Sequence, residues 1–221
     1  MPLHSSAGPV CGPEPGAACD LCPRLSQFLA DSRSKEPAWH NAPVASFGAE
    51  DARVLIVGLA PGLRGANRTG RPFTGDHAGE LLYATLLEFG FAKGTYGADP
   101  KDGLALTDCM ISNAVRCVPP ENKPLPAEIN TCRRFLTARI AALPKLEALV
   151  ALGRVAHDSS IGALGERKSA HPFGHGARHS IRPGLTLFDS YHCSRYNTNT
   201  GVLTKDMFRA VFANVRAHVN G

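Results

Sequence analysis

Four cysteines in this chain have the residue type and spacing to hold a metal centre. Cys19 and Cys22 form a close pair near the start, and Cys117 and Cys132 follow far downstream, well separated from each other. Three centres compete for such a set: structural zinc, a redox dithiol and an iron–sulfur cluster. A zinc ribbon usually presents two close pairs, which Cys117 and Cys132 do not make. Arg24, Arg116, Arg133 and Arg134 adjoin these cysteines, where cations would offset the negative charge of a thiolate-held cluster. A [4Fe-4S] cluster is therefore the favoured expectation, with zinc left open by spacing alone. Cys11 is a spare thiol that could substitute in the assignment, while Cys109 and Cys193 fall at strand positions and are not expected to be ligands.

A second chemistry-bearing run lies between the two cysteine groups, from Gly58-Leu59-Ala60-Pro61-Gly62 to Asp76. It lacks Gly-Lys-Ser/Thr and does not match the dinucleotide fingerprint, so neither phosphate-loop reading applies. Pro61 and Gly62 instead make a rigid turn whose backbone N–H groups could meet a planar polar ligand. Phe73, between Pro72 and Thr74, is either a loop anchor packed on the sheet or a platform on which a base stacks. Asp76, ahead of Ala78-Gly79-Glu80, is either an N-cap or a carboxylate that stabilises positive charge or orients water. The two roles compete for one side chain. Asn113 is either a turn residue or a bidentate reader of an amide-like base edge. His192 heads Tyr191-His192-Cys193-Ser194-Arg195-Tyr196-Asn197-Thr198, a run of hydrogen-bond donors suited to phosphate oxygens. His171, His175 and His179 are spaced by four, as helical metal ligands would be. Pro172, Gly174 and Gly176 forbid that helix, which argues against a metal there.

The elements that must position these residues read as alternating strands and helices. Val54 to Val57, Leu106 to Val115, Ala148 to Leu152 and Thr186 to Tyr191 are expected strands. Helical spacing covers Ala78 to Phe89, Ala127 to Leu143 just after Pro126, a segment near Ala156, and Lys205 to Val219. The pattern implies an α/β fold, a single-domain sandwich with a central, largely parallel four-stranded sheet flanked by helices. Sites in such sheets form beyond the carboxyl ends of strands, where Gly58 to Asp76, Ser112 to Arg116 and His192 to Gly201 all fall. Residues 1–18, rich in Pro, Gly and Ala, read as a flexible lead-in to a domain spanning 19–221. No internal repeat is found.

At 221 residues and 43% hydrophobic content, the chain can bury a core, which excludes wholesale disorder. No apolar run approaches the roughly 18–20 residues that span a bilayer. The proline-broken start, without Lys or Arg before Arg24, does not read as a secretory signal. A cytoplasmic location is expected, and there seven cysteines point to metal rather than disulfides. The net charge of +5 is compatible with a polyanionic partner without establishing one.

Taken together, three segments resemble the uracil-DNA glycosylase superfamily, in its type-5 iron–sulfur branch. They are Gly58 to Gly62 continuing through Asn67-Arg68-Thr69-Gly70-Arg71-Pro72-Phe73-Thr74-Gly75-Asp76, then Ser112 to Pro124, then His192-x-Ser194-Arg195-x-Asn197-x-x-Thr200-Gly201. Many relatives carry an acidic or amide residue in the first motif to direct water. Leu59 and Ala60 stand here instead, and Cys193 replaces a usual proline. The resemblance implies a DNA repair glycosylase that hydrolyses the N-glycosidic bond of uracil, with other deaminated bases as further candidates, and leaves an abasic site. It implies Phe73 stacking on the flipped base, Asn113 pairing with its edge and backbone near Ala60 and Gly62 touching base or sugar. Asp76 and His192 would be catalytic, with Ser194, Arg195 and Asn197 on the DNA strand. Cys19, Cys22, Cys117 and Cys132 would hold a structural [4Fe-4S] cluster in a monomer. The rival reading is a non-catalytic iron–sulfur protein that binds DNA or senses redox state.

Overall fold

A computed structural model describes residues 12–221; Cys11 lies outside them. The elements in chain order are α1 (Pro23–Lys35), β1 (Phe47–Gly48), β2 (Val54–Gly58), α2 (Ala66–Thr69), α3 (His77–Glu88), β3 (Ala92–Lys93), β4 (Ala105–Leu106), β5 (Cys109–Asn113), α4 (Pro126–Ala141), β6 (Ala148–Leu152), α5 (Arg154–Ala163), β7 (Arg178–Arg182), β8 (Leu185–Ser190), α6 (Arg195–Asn199) and α7 (Lys205–Asn220).

The main sheet has six strands in the order β1-β5-β2-β6-β8-β7. Its four inner strands run parallel and are the four expected from sequence. The α/β class holds, but the expected count of four is corrected to six by antiparallel edges: β1 beside β5 and β7 beside β8. The reason lies in burial. β2, β5 and β6 are buried along their whole length, which demands continuous apolar runs such as Val54-Leu55-Ile56-Val57. β1 is two residues long, and β7 (Arg-His-Ser-Ile-Arg) has no buried position. Neither edge therefore carries an apolar signal.

Alternate residues of the inner strands face two cores. Val54, Ile56, Ile111, Val150 and Phe188 pack with α3 and α7 on one side. Leu55, Val57, Met110, Leu149 and Leu187 pack with α4 and α5 on the other. Helix α7 docks through Phe208, Val211, Phe212, Val215 and Val219, one stripe at helical spacing. Helix α4 opens on Pro126, with the Glu128 carboxylate accepting from the Leu125 N–H at 2.7 Å. A third core joins α1 to Val115, Val118 and Phe135. Only Leu25 and Leu29 of α1 are buried apolar residues, too few to have announced the helix. The lead-in is docked where it is described: Glu14 pairs with buried Arg116 at 2.8 Å and with Arg139 at 2.7 Å.

From β2 the chain reaches β5 on one side and then crosses to β6 on the other. The carboxyl ends of β2, β5 and β8 thus flank the point where strand order reverses, the usual crevice of such sheets.

Candidate active site

An open cleft of about 870 Å³ lies at those strand ends, and Phe73, Asp76, Asn113 and His192 all line it. Parallel pairing sets Gly58, the last residue of β2, beside Asn113, the last of β5. A Cβ at Gly58 would stand 2.4 Å from Asn113 Oδ1 and 2.5 Å from Phe73 Cζ. The missing side chain is what lets ring and amide meet. Asn113 is 3% exposed, and its Oδ1 is buried without a hydrogen-bond partner. Such an atom is costly unless a ligand completes it.

Phe73 touches both the core and the cleft. It belongs to the core under α3 and lines the cleft, with its ring centroid 6.1 Å from that of His192. Its φ of +52° is left-handed, a conformation that costs a side-chain-bearing residue about 1–2 kcal/mol. The surroundings hold it there. Tyr83 Oη donates to the Pro72 carbonyl at 2.7 Å and Tyr96 Oη to the Phe73 carbonyl at 3.2 Å. Arg71 forks onto Asp102 at 2.8 and 2.7 Å, both side chains nearly buried, and lies 5.4 Å from the Tyr83 ring centroid. The Arg71 hydrogen bonds keep Asp102 ionised well below the usual carboxylate range. Sequence reasoning assigned no role to Arg71 or Asp102; their 31-residue separation leaves no local pattern.

The two oxygens of Asp76 face different surroundings. Oδ1 accepts from the Gly79 N–H at 3.1 Å and caps α3. Oδ2 is turned to the Gly62–Gly65 turn, so close that a Cβ at Gly65 would sit 2.4 Å from it. Burial raises the Asp76 pKa, opposed by hydrogen bonds from the Gly79 and Ala78 amides. Ala60 and Gly62 line the cleft as expected, and the Gly58 and Leu59 carbonyls accept from Ala114 and Val115 N–H at 2.9 and 3.0 Å. The first motif is thereby pinned to the segment that leaves β5.

His192 follows β8 into the cleft wall. Burial lowers its pKa to about 4, so the imidazole is neutral near pH 7 and offers one N–H. Of the three expected strand-holding residues, the structure leaves Arg195 exposed on the cleft rim. Ser194 also lines the cleft, and its Oγ caps α6 by accepting from the Asn197 N–H at 3.3 Å. Asn197 Nδ2 donates to the His192 carbonyl at 2.8 Å, which fixes the turn bearing His192. Asn122 and His77 also line the cleft and had been given no role. Asn122 lies inside a quoted motif, and His77 adjoins Asp76.

Cys19, Cys22, Cys117 and Cys132 converge on one small pocket with about 10 Å³ of free space. Burial, joined by repulsion from the neighbouring cysteines, pushes the Cys117 thiol up to about 12 and Cys132 to about 11. Four thiolates this close cannot all ionise without a cation among them, so the donor set fits a thiolate-held centre. Of the four arginines expected to offset charge, Arg116 acts on Cys117 and Cys132 and Arg134 on Cys22. Arg24 is taken up by Glu128 at 2.7 Å. Arg133 Nη2 donates to Asn130 at 2.8 Å. Cys109 and Cys193 are buried elsewhere, against the Phe91 and Ala78 carbonyls. Ala60 packs against the core that holds the four cysteines, so this pocket backs the cleft wall.

Residues 45–216 match the family model described as Uracil DNA glycosylase superfamily. The chain belongs to that superfamily. It is similar to the Type-5 uracil-DNA glycosylase of Thermus thermophilus, 46% identical over 200 residues that cover 88% of this chain and 90% of the relative. The Type-5 uracil-DNA glycosylase of Mycobacterium bovis is 37% identical over 222 residues, 95% and 82% of the two chains. A Type-4 uracil-DNA glycosylase of Thermotoga maritima is 37% identical over 114 residues, 51% of each. The matched span of this uracil-DNA glycosylase superfamily member contains Gly58, Phe73, Asp76, Asn113 and His192, while Cys19 and Cys22 precede it.

Proposed function

We propose that this protein is a DNA repair glycosylase, a monomer of the type-5 kind acting in the cytoplasm, with residues 19–221 as its catalytic unit. It flips uracil out of DNA and hydrolyses its N-glycosidic bond, leaving an abasic site; other deaminated bases are further candidate substrates. The observation that carries this reading is the buried, partnerless Asn113 Oδ1 facing a cleft that Phe73, Asp76 and His192 share. An amide is the side chain suited to an edge that presents adjacent donor and acceptor, and Phe73 supplies the stacking face.

As the C1′–N1 bond breaks, its electron pair goes to the base and positive charge grows on the sugar. The neutral His192 imidazole donates a hydrogen bond to the leaving base's oxygen without having to give up a proton. Asp76 Oδ2, held by the cap at Oδ1, supplies the counter-charge to the sugar or orients the water that attacks C1′. That assignment answers the lack of any polar side chain at Leu59 and Ala60. Arg195 is the residue that reaches the strand, Ser194 shapes the helix start beneath it, and Asn197 positions His192. Among the described residues no helix is long and apolar enough to cross a membrane.

The cofactor in this reading is a [4Fe-4S] cluster held by Cys19, Cys22, Cys117 and Cys132. It would supply positive charge to four thiolates and a cross-link between the start of the chain and α4. One close cysteine pair followed by two separated cysteines favours the cluster over a zinc ribbon, which presents two close pairs. Glycosyl hydrolysis moves no electron, which leaves the cluster a structural role.

The deciding experiment is a single-turnover assay on a uracil-containing oligonucleotide followed by alkali. Strand scission at uracil and not at thymine is expected. An intact oligonucleotide with cluster-loaded protein would refute the reading.

A further inference from the structure

Away from the cleft, three separate elements bring His157 of α5, His179 of β7 and Asp189 of β8 together, with ligand atoms all within 4.8 Å of one another. Asp189 has no exposed surface. Its Oδ1 lies 2.7 Å from His157 Nδ1 and its Oδ2 3.0 Å from His179 Nε2. The Gly174 N–H approaches Oδ2 at 3.4 Å. A carboxylate removed from water needs a positive partner in contact.

The far side of His157 identifies that partner's character. His157 Nε2 lies 2.8 Å from the His171 carbonyl, and only a protonated Nε2 can bond there. Nδ1 faces Asp189 Oδ1 at 2.7 Å as an N–H donor, and a bound metal would take the place of that proton. A histidine whose far N–H is held by a backbone carbonyl is oriented as a metal ligand. Two imidazole nitrogens and one carboxylate form the donor set of a borderline cation, and zinc accepts all three. Ligands about 2.0–2.1 Å from a tetrahedral zinc stand ~3.3 Å apart, against 2.7 and 3.0 Å from His157 and His179 to the two Asp189 oxygens, so the carboxylate turns to offer one oxygen as the rings move apart. The His179 and His171 side chains retain 9% and 15% exposure, which gives an ion and a fourth-position water their way in.

We infer that His157 Nδ1, His179 Nε2 and the Asp189 carboxylate form a zinc site separate from the cysteine pocket. The four-residue spacing of His171, His175 and His179 pointed to metal but required a helix that the chain cannot make. The fold keeps only His179 of that series and recruits the other two ligands from α5 and β8. The site has a structural place. Gly176 N–H donates to the Asp189 carbonyl at 2.9 Å, and His175 Nδ1 accepts from the Tyr191 N–H at 3.1 Å. A metal at Asp189 braces the loop behind the turn that carries His192.

The test uses the intact, cluster-loaded protein incubated with excess zinc, freed of unbound metal and analysed for zinc and iron. About one zinc per chain is expected in the wild type and none in His179→Gln, with equal iron in both and a zinc-dependent rise in Tm only in the wild type. Cobalt(II) added to the wild type should give visible bands of a nitrogen and oxygen site without thiolate charge transfer. This readout does not depend on any variant folding. A wild type that takes up no zinc, zinc retained by His179→Gln but lost from Cys22→Ser, or a thiolate-type cobalt spectrum would each overturn the site.

Discussion

The cleft and the cysteine pocket are built on one segment, yet they are opposite kinds of cavity. Asn113 ends β5 in the cleft, and four residues later Cys117 enters the pocket. The cleft offers about 870 Å³ and a partnerless buried oxygen. The pocket offers about 10 Å³, and the thiols that fill it raise one another's pKa. A cavity whose polar atoms wait for partners suits a molecule that comes and goes. One closed by mutually repelling ligands suits a group that never leaves. The difference predicts that variants in the pocket change stability and rate together, whereas variants in the cleft change rate alone.

The largest effect should come from Cys117→Ser. It removes one of the four proposed cluster ligands, between α4 and the segment that leaves β5, so iron content, Tm and single-turnover rate should all fall. Tm and rate that persist after iron is lost would erase the contrast between the two cavities. Next are His192→Ala and Asp76→Asn. Loss of one preorganised group commonly costs about 10²–10³ in rate, and each variant should lose at least the lower figure. Asparagine caps a helix about as well as aspartate, so Asp76→Asn should keep its Tm. A normal rate with a lowered Tm would reduce Asp76 to its cap. Phe73 also belongs to the core under α3, so the test is Phe73→Leu, which keeps apolar bulk: it should lose up to about 1–3 kcal/mol of stacking in uracil recognition, read as a rise in KM on single-stranded substrate, with Tm nearly unchanged.

The smallest effect is one of pH. The folded pKa of His192 is depressed from 6.5 to about 4. Between those values the unfolded chain takes up a proton that the folded chain refuses, so stability falls as pH drops from 6.5 toward 4. Urea denaturation at about pH 7 and pH 5 should show this fall in the wild type and a smaller one in His192→Gln. An equal fall in both would place the titration elsewhere.

The inner strands were legible because burial on both faces forces uninterrupted apolar residues, and their polar ends marked the cleft. Phe73, Asp76, Asn113 and His192, singled out there by position and type, all line that cleft. The edge strands were not legible, since β7 exposes its polar residues and β1 is two residues long. Nor was the partner of Asn197, a carbonyl five residues back, because residue type alone does not say which acceptor an amide will meet.

The sequence by itself determined the α/β class, the strand-end location of the cleft and the four candidate ligands, all of which follow from local period and residue chemistry. Tertiary structure decided how those residues are used. It gave one Asp76 oxygen to the helix and the other to the cleft, and it held Phe73 at positive φ through hydrogen bonds from Tyr83 and Tyr96, beside an Arg71–Asp102 ion pair that spans 31 residues. It also joined His157 to Asp189 across 32 residues. Such arrangements depend on which distant segments meet, and that is set by the packing of whole elements rather than by any pattern along the chain.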